Sequence, residues 1–367
     1  MEISEKDRQF MQRALSLAAR AGGRTSPNPM VGAVIVKDDR ILSEDFHKKP
    51  GELHAEALAI NTAGTQAKDS TLYVTLEPCC HLDKRTPPCT AAIINAGISR
   101  VFVAMRDPNP KVAGKGIEAL RRHGIEVTEG LMEDKARLLN ESYAKFIATR
   151  RPFVILKVAM TLDGKIATPD GESKWITGPQ ARRVVHRMRS SVDAVLTAIG
   201  TVKADDPELT ARIPRGKNPR RIIIDPCLET PPDFKVFTTP PETIVVARKQ
   251  QSAEREQKRL LLQDKGIGFV EHDGDRADLG WLMERLGERE ITSVLVEGGS
   301  SLASSVLHAG IVDKVVFFIA PKIIGGRDSI PAVGGHLFRR LPEAFRVRDM
   351  KVRKIGDDLM VEGYIEA

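Results

Sequence analysis

The chain has few aromatic residues, no long run of apolar residues and no long run of like charges. Only 5% of its 367 residues are aromatic, and these include three tyrosines and two tryptophans. No stretch approaches the roughly 18 consecutive apolar residues that a membrane-spanning helix needs. Runs of about five like charges, which are typical of polynucleotide-binding tails, are also absent from the sequence. The net charge of +7 is modest and fits an anionic small molecule as well as a nucleic acid.

Cysteine is scarce too, but three of the four cysteines stand in one stretch, "PCCHLDKRTPPC" (78–89). The first residues are polar and lack the apolar run and cleavage site of a signal peptide, which predicts a cytoplasmic protein. Thiols stay reduced in the cytoplasm. The cluster therefore indicates a metal site or a catalytic site rather than a disulfide.

Helical and extended patterns alternate in the first part of the chain. The patterns predict helices over 6–21, 54–64, 90–97 and 115–124, and strands over 31–36, 71–76, 100–105 and 125–130. Strands that alternate with helices predict an α/β layer with a mostly parallel sheet. One further helix, 133–149, ends before Pro152, since proline disfavours helix in the residue before it. We place two domains there, residues 1–148 and 149–367.

The second part repeats the alternation with different motifs. Strands are predicted over 153–160, 194–200, 220–225, 242–247, 293–299 and 314–321, and helices over 178–191 and within 249–266. Thr177 can cap the first of these helices. No G-x-G-x-x-G follows the first strand of either half, so a Rossmann site is not predicted. Instead, "EGGSSLASSVL" (297–307) offers free N–H groups at a helix start for an anion. A plain glycine turn is the alternative.

A zinc site is the strongest chemical signal of the first part. His54 opens a predicted helix, Cys79 follows a strand and Cys89 opens the next helix, which gives one nitrogen and two sulfur ligands. Three protein ligands leave a fourth position for water, as in catalytic zinc sites. Glu56 does not share a helix face with His54, so it can act as general acid and base on that water. Cys80 or His81 as a fourth ligand would instead close the site.

Two other interpretations remain open at this point. Nucleoside and tRNA base deaminases use the same H-x-E and P-C elements, but with a close C-x-x-C pair that this chain lacks. A zinc-stabilised nucleic-acid-binding protein would show clustered basic residues with exposed aromatics, and the basic residues here are dispersed. The simplest interpretation of Cys80 is a small buried residue that fills space beside Cys79.

Eight segments carry a specific combination of motifs. They are "TSPNPMVGAVIVKDDR" (25–40), "HAE" (54–56), "TLEPCCHLDKRTPPC" (75–89), "DPNPKVAGKGI" (107–117), "LKVAMTLDGKIA" (156–167), "GESKWITG" (171–178), "ADDPELTAR" (204–212) and "VEGGSSLASSVL" (296–307). Through them, almost the whole chain resembles the bacterial bifunctional deaminase/reductases of riboflavin biosynthesis. The resemblance implies an N-terminal cytidine-deaminase-like three-layer α/β domain and a C-terminal dihydrofolate-reductase-like α/β domain.

The resemblance also implies two reactions. The first domain, with one zinc ion per site, would deaminate 2,5-diamino-6-ribosylamino-4(3H)-pyrimidinone 5′-phosphate. The second would use NADPH to reduce the ribosyl group to ribityl, giving 5-amino-6-ribitylamino-uracil 5′-phosphate. The family further implies a homo-oligomer, and neither a nucleic acid nor a membrane is an expected partner.

The deaminase residues that the resemblance implies follow its motifs. The metal ligands would be His54, Cys79 and Cys89, and Glu56 would carry protons. The substrate would contact Asn28, His47, His81 and Arg85. Cys80 stands where the family usually has serine, and an extra residue between His81 and Arg85 leaves Lys84 as an alternative contact for the phosphate.

The reductase residues follow from the same resemblance. NADPH would be lined by Ala159, Trp175, Thr201, Asp205 and the backbone of Gly299, Ser300, Ser301, Leu302, Ala303, Ser304 and Ser305. The ribose phosphate substrate would be held by Ser173, Arg189, Leu209, Arg212 and Glu297. Arginines suit a phosphate because their guanidinium groups donate two parallel hydrogen bonds. Lys157, a polar residue within an apolar strand, is a further candidate beside the hydride-transfer site.

Overall fold

The computed structural model describes residues 3–80, 87–249, 252–335 and 339–366. The chain divides into two compact units, Met1–Arg150 and Arg151–Ala367, and each is described by itself. The assignment of one function to each side of residue 148 stays a prediction. Within the described ranges, no helix is long and apolar enough to cross a membrane. The predicted cytoplasmic location is not tested by that observation.

The first unit is built on a five-stranded sheet with the order β2-β1-β3-β4-β5. Its strands are β1 (Gly32–Lys37), β2 (Arg40–Phe46), β3 (Thr71–Val74), β4 (Arg100–Val103) and β5 (Glu126–Glu129). Its helices are α1 (Glu5–Ala19), α2 (Ala55–Ala63), α3 (Cys89–Asn95), α4 (Lys115–Arg122), α5 (Glu133–Leu139) and α6 (Glu141–Thr149), with a 3-10 turn at Gly64–Ala67.

The sheet of the first unit is mixed, which corrects the prediction of a mostly parallel one. β3, β4 and β5 run parallel, but β1 pairs antiparallel with both β2 and β3. β2 has no apolar run that would predict it, since all its residues except the buried Ser43 are exposed or half-buried. A tight turn at Asp38 and Asp39, both at positive φ, closes the β1–β2 hairpin.

Close packing of α1 on the sheet requires a glycine in β1. The helix buries Met11, Ala14 and Ala18, which are spaced along one face of a helix. A Cβ atom on Gly32 would lie only 2.1 Å from the carbonyl oxygen of Ala14. The absence of a side chain at Gly32 therefore lets α1 approach the sheet and bury its apolar stripe in the core of this unit.

The segment predicted as one helix, 133–149, is two helices. Asn140 separates α5 from α6 with φ −110° and ψ 22°. Its buried side-chain amide accepts the Met30 N–H at 2.8 Å and donates to the Met30 carbonyl at 3.0 Å. The apolar periodicity of the segment concealed this break, and an asparagine inside a helical pattern was the available signal.

The second unit is built on a nine-stranded sheet with the order β11-β10-β9-β8-β12-β6-β13-β16-β15, and a two-stranded sheet pairs β14 with β7. Its strands are β6 (Phe153–Thr161), β7 (Lys165–Ala167), β8 (Ala194–Ala198), β9 (Arg220–Ile224), β10 (Thr243–Arg248), β11 (Gly268–His272), β12 (Ser293–Glu297), β13 (Lys314–Ala320), β14 (Ile330–Pro331), β15 (Val347–Ile355) and β16 (Asp358–Ile365). Its helices are α7 (Pro179–Ser191), α8 (Ile199–Asp205), α9 (Lys235–Thr238), α10 (Ala253–Asp264), α11 (Leu279–Glu288) and α12 (Ser300–His308), with a 3-10 turn at Leu341–Glu343.

Seven neighbouring strands, from β11 to β13, run parallel, as predicted for this half, and the final hairpin joins antiparallel. The hairpin was missed because β15 is exposed or half-buried along its whole length, so it lacks an apolar face. The strand predicted over 194–200 ends at Ala198, where α8 begins. The predicted cap Thr177 is also wrong: Gly178 occupies the N-cap of α7, without a side-chain cap.

Candidate active sites

The three predicted zinc ligands of the first unit lie together. His54 is the N-cap residue of α2, Cys79 follows β3 and Cys89 is the first residue of α3. His54 Nδ1 lies 3.2 Å from Cys89 Sγ and 3.7 Å from Cys79 Sγ. All three ligand atoms fall within 4.8 Å of one another. Strand and helix ends that meet at one edge of the sheet thus build a compact group of one nitrogen and two sulfurs.

This donor set fits a zinc ion. Neutral imidazole and thiolate are the ligands that zinc prefers, and three of them leave one position for water. A hydrogen bond with Cys79 and burial both raise the pKa of the Cys89 thiol well above its ordinary value. A divalent cation supplies the positive charge that would let such buried thiols ionise.

Glu56 stands beside the ligand group and is almost fully buried, with 3% of its surface exposed. Burial raises the pKa of Glu56, with the Cys79 thiol adding to the rise and His54 opposing it. Glu56 also shares a hydrogen bond with Cys89, but its Oε2 atom has no hydrogen-bond partner among the described residues. A buried carboxylate oxygen without a partner is costly, so this atom is free for a ligand or a water molecule in the site.

His47 links the Asn-Pro turn to the segment that carries His54. Asn28 Nδ2 lies 3.2 Å from His47 Nε2, and His47 Nδ1 lies 3.2 Å from the Leu53 carbonyl. The His47 and His54 rings meet edge to face with centroids 5.3 Å apart. The structure therefore brings Asn28 and His47, two predicted substrate contacts, next to the metal-ligand group.

The remaining deaminase predictions divide into two groups. His81, Arg85 and the alternative Lys84 lie outside the described residues. Cys80 is half-buried, so its interpretation as a buried filler is wrong, and it is not part of the ligand group in the described chain. Burial nevertheless raises the pKa of Cys80, with Glu77 and Cys79 adding to the rise.

The metal assignment predicts the composition of the purified protein. We expect about one zinc per chain, and Cys89→Ser should remove most of it because an alcohol is a poor ligand beside a thiolate and an imidazole. Elemental analysis of wild type and variant measures this directly. Cys227→Ser, at a cysteine of the second unit, is the matched control and should keep the metal. Full zinc occupancy in Cys89→Ser would contradict the assignment.

In the second unit, a buried ion-pair group stands at the carboxyl end of the central strands. Glu297 ends β12 and receives two hydrogen bonds from Arg189 of α7, at 2.6 and 3.0 Å. Lys157 Nζ of β6 lies 3.5 Å from Glu297 Oε2, the oxygen that also accepts from Arg189 Nη2. Burial alone would raise the pKa of Glu297, but Arg189 and Lys157 lower it to about 2. The carboxylate therefore stays ionised and holds two cations in fixed positions.

The other predicted substrate contacts of this unit, Leu209, Arg212 and Ser173, differ in burial. Arg189 also donates to the Thr210 carbonyl at 3.1 Å, next to the buried Leu209. Arg212 is exposed, with Glu208 as a weak partner at 3.9 Å, and so keeps a guanidinium available to solvent. Ser173 is half-buried in the loop before α7.

One of the predicted cofactor residues, Thr201, contacts the start of α12. Thr201 Oγ1 accepts the Gly299 N–H at 3.2 Å, which ties α8 to the N-cap of α12. Leu302, Ala303 and Ser304 are buried, the first two in the core, whereas Ser301 in the first turn is exposed. Asp205 pairs with Lys174 at 2.8 Å, one residue from the 62% exposed Trp175. Ala159 lies in β6 on the same central region of the sheet.

Comparison with known proteins gives each unit a class. A family model described as "Cytidine and deoxycytidylate deaminase zinc-binding region" matches residues 4–105. A model described as "RibD C-terminal domain" matches residues 152–361, more than half of the chain. The two units together define a bifunctional enzyme in which a zinc-binding deaminase precedes a reductase.

Relatives match the chain over nearly its full length. Riboflavin biosynthesis protein RibD of Aquifex aeolicus (strain VF5) is 46% identical over 360 residues and covers 98% of both chains. The protein of the same name from Escherichia coli (strain K12) is 41% identical over 372 residues and covers 96% of this chain and 98% of its own. The chain therefore belongs to the RibD family of riboflavin biosynthesis, as the motif resemblance predicted.

Solved structures agree with this assignment. Acinetobacter baumannii RibD, form 1, superposes with a TM-score of 0.88 at 37% identity and 99% coverage of both chains. The diaminohydroxyphosphoribosylaminopyrimidine deaminase/5-amino-6-(5-phosphoribosylamino)uracil reductase of Thermotoga maritima superposes with a TM-score of 0.85 at 39% identity, covering 98% of both chains. The predicted α/β fold class is confirmed. A base deaminase with an unrelated second domain and a zinc-stabilised nucleic-acid-binding protein are both excluded.

Proposed function

We propose that the first unit deaminates 2,5-diamino-6-ribosylamino-4(3H)-pyrimidinone 5′-phosphate and that the second reduces the ribosyl group of the product with NADPH. The observation that carries the proposal is the grouping of His54, Cys79 and Cys89 within 4.8 Å beside the unpartnered Oε2 of Glu56. The names of the full-length relatives support the substrate class, since the Thermotoga maritima protein is named for both activities.

In the deaminase site, His54, Cys79 and Cys89 would hold the zinc ion, which when bound supplies Lewis acidity that lowers the pKa of a water molecule. Glu56 would take one proton from that water and deliver it to the ring nitrogen, and would then pass the second proton of the water to the departing amine. The water oxygen replaces the exocyclic amine, which leaves as ammonia. Asn28 and His47 would orient the pyrimidine, and His81 and Arg85 remain predicted contacts.

In the reductase site, the backbone N–H groups at the start of α12 would bind an anionic part of NADPH, and this cofactor supplies the hydride. Ala159, Trp175, Thr201 and Asp205 would line the rest of the cofactor. Arg189, held by Glu297, would present a fixed cation to the substrate. Arg212 would bind its phosphate, with Ser173 and Leu209 completing the predicted contacts.

A homo-oligomer acting on this phosphorylated pyrimidine in the cytoplasm is part of the same proposal. It rests on the membership of the chain in this family. Size-exclusion chromatography with light scattering would test it, and a monomer at enzyme concentrations of the assay would contradict it.

One experiment separates the two proposed activities. The diaminopyrimidine phosphate is supplied with and without NADPH, and ammonia release and NADPH oxidation are followed independently. We expect ammonia in both reactions, and NADPH oxidation only after deamination has begun. NADPH oxidation without ammonia release would contradict the proposed order, and absence of both would contradict the substrate.

Replacement of Arg212 by alanine tests the proposed phosphate contact. We expect KM of the reductase step to rise by roughly 10- to 100-fold, which corresponds to the loss of a charge-assisted hydrogen bond of about 1.5–3 kcal/mol. Deamination should be unchanged. Arg353→Ala is a matched control because both arginines are similarly exposed, at 57% and 58%, and both pair with a glutamate. An unchanged KM in Arg212→Ala would remove this residue from the site.

A further inference from the structure

Glu77 is a buried carboxylate, 3% exposed, that stands two positions before Cys79. Both of its oxygens accept hydrogen bonds from backbone N–H groups of a single segment, 107–117. Oε2 accepts from Asp107 at 3.2 Å and Gly114 at 2.9 Å, and Oε1 accepts from Gly116 at 2.9 Å and Ile117 at 3.2 Å. A carboxylate offers about four lone-pair sites, so these four donors use its whole capacity.

A second contact joins the segment 107–117 to the residues that precede Cys79. A Cβ atom on Gly116 would lie 2.0 Å from the Pro78 carbonyl oxygen and 3.1 Å from Glu77 Oε1. Gly116 therefore permits the start of α4 to touch the backbone that leads into Cys79. Because one contact is a set of hydrogen bonds and the other is steric, each can be perturbed without directly removing the other.

The opposite side of Cys79 is fixed by α3. The Cys79 carbonyl accepts from the Thr90 N–H at 3.2 Å and from Thr90 Oγ1 at 3.3 Å, and the Cys89 N–H lies 3.4 Å from Cys79 Sγ. These bonds tie Cys79 to the segment that carries Cys89. The bonds to α3 do not fix the position of Cys79 relative to the edge of the sheet. That position is set by the contacts of Glu77 and Pro78, which precede Cys79.

We propose that Glu77 is a positioning residue that sets the direction of the Cys79 sulfur toward the metal, by anchoring the Pro78–Cys79 backbone to segment 107–117. The proposal rests on the assignment of His54, Cys79 and Cys89 as zinc ligands. Glu77 does not touch the metal or the substrate and acts only through Cys79. Removing an oxygen acceptor at this position would leave backbone N–H groups of the segment unpaired, and the anchored peptide would shift.

Glu77→Gln tests the anchor with little change of shape. The glutamine keeps one acceptor oxygen but turns an NH₂ group toward two backbone N–H donors. Loss of a hydrogen-bond partner that orients a metal ligand typically lowers metal affinity or activity by about 10- to 100-fold. We expect zinc affinity, measured by competition with a chelator, to fall in that range. In the cobalt-substituted protein, the thiolate-to-cobalt and d–d absorption bands should shift, and kcat of deamination should fall more than KM changes.

Two further variants distinguish positioning from a general loss of stability. In Gly116→Ala, the new methyl group would displace the Pro78–Cys79 peptide from the α4 side. The cobalt spectrum should shift in the same way as in Glu77→Gln, and this test remains valid even if Glu77→Gln folds poorly. Val101→Ala creates a cavity in β4, within the core of the same unit, and should lower stability while the cobalt spectrum stays that of wild type. When the deaminated intermediate is supplied, NADPH oxidation by the second unit should be normal in all three.

The outcomes that overturn the proposal are specific. Unchanged zinc affinity and cobalt bands in both Glu77→Gln and Gly116→Ala would show that the anchor does not position Cys79. The same spectral shift in Val101→Ala would show a nonspecific effect. His54→Ala serves as the reference for the ligand assignment, because full zinc binding in that variant would mean that the assignment itself fails, whatever Glu77 does.

Discussion

Replacement of Glu56 by alanine is expected to abolish deamination while zinc stays bound. Glu56 is buried beside the three ligands, and its Oε2 has no hydrogen-bond partner in the described part of the chain, so it can face the reacting water. A positioned acid or base contributes typically about 10²- to 10⁴-fold to a rate. We expect kcat/KM of deamination to fall by at least the upper part of that range, because the same side chain serves both proton transfers.

Three measurements make this prediction specific. Zinc content should remain near that of wild type, since Glu56 is not assigned as a ligand. NADPH oxidation with the deaminated intermediate should be unaffected, because the reductase unit is unchanged. Glu126→Ala, at an exposed carboxylate of β5 in the same unit, should keep both activities. Loss of the metal together with deamination would show that Glu56 is a ligand, and a normal rate would exclude it from catalysis.

Replacement of Arg189 by alanine is expected to destabilise the second unit strongly. Glu297 is buried and would lose the two hydrogen bonds that Arg189 donates, with only Lys157 remaining near it. Breaking a buried ion pair by removing one partner typically costs about 3–5 kcal/mol, and we expect a loss toward the lower end because Lys157 stays. Both tryptophans of the chain, Trp175 and Trp281, lie in this unit, so their fluorescence in urea follows its unfolding alone.

The buried Arg189–Glu297 pair also predicts how the free energy of unfolding of this unit depends on pH. Against the effect of burial, Arg189 and Lys157 hold the pKa of Glu297 at about 2, below its ordinary 4.5. A depressed pKa contributes stability that is present above the unfolded pKa and is lost as pH falls through the folded pKa. The free energy of unfolding of the wild-type unit should therefore fall between about pH 4.5 and pH 2. In Arg189→Ala, the loss over this range should be smaller, because without Arg189 burial raises the folded pKa of Glu297 toward its unfolded value.

An exposed ion pair of the same unit is the matched control. Arg220 pairs with Glu242 across β9 and β10, with side chains 43% and 49% exposed. Exposed pairs contribute about 0–1 kcal/mol, so Arg220→Ala should change the urea midpoint little. Equal destabilisation by the two substitutions would contradict the importance of burial for the Arg189–Glu297 pair.

The sequence predicted those parts of the fold and site that have a local pattern. Buried parallel strands such as β6 and β12 are continuous apolar runs, and helices such as α2 and α4 have clear start and stop residues. His54, Cys79 and Cys89 were proposed as a group because each stands at an end of such an element. The ends of neighbouring strands and helices meet at one edge of a sheet, so their proximity follows from the element order.

The parts that the sequence did not predict depend on contacts between distant segments. The four backbone N–H groups that donate to Glu77 belong to residues about 30 to 40 positions later in the chain, and no periodic sequence pattern links them to Glu77. The antiparallel placement of β2 and the split of the last helical segment at Asn140 are likewise set by tertiary partners. A side chain that bonds to a remote backbone leaves no periodic signature, so only the assembled fold reveals it.

The pairing of Asn140 with Met30 determines how the deaminase could be excised as a separate protein. The zinc-binding family model ends at residue 105, and a fragment cut there would contain all three metal ligands. Such a fragment would lack the amide that satisfies both backbone groups of Met30, two residues after Asn28. It would also lack the segment 107–117, whose backbone N–H groups donate to Glu77. The smallest self-sufficient deaminase therefore extends through α6, and its gene fragment should be cut after the codon for Thr149 rather than after the last strand of the motif.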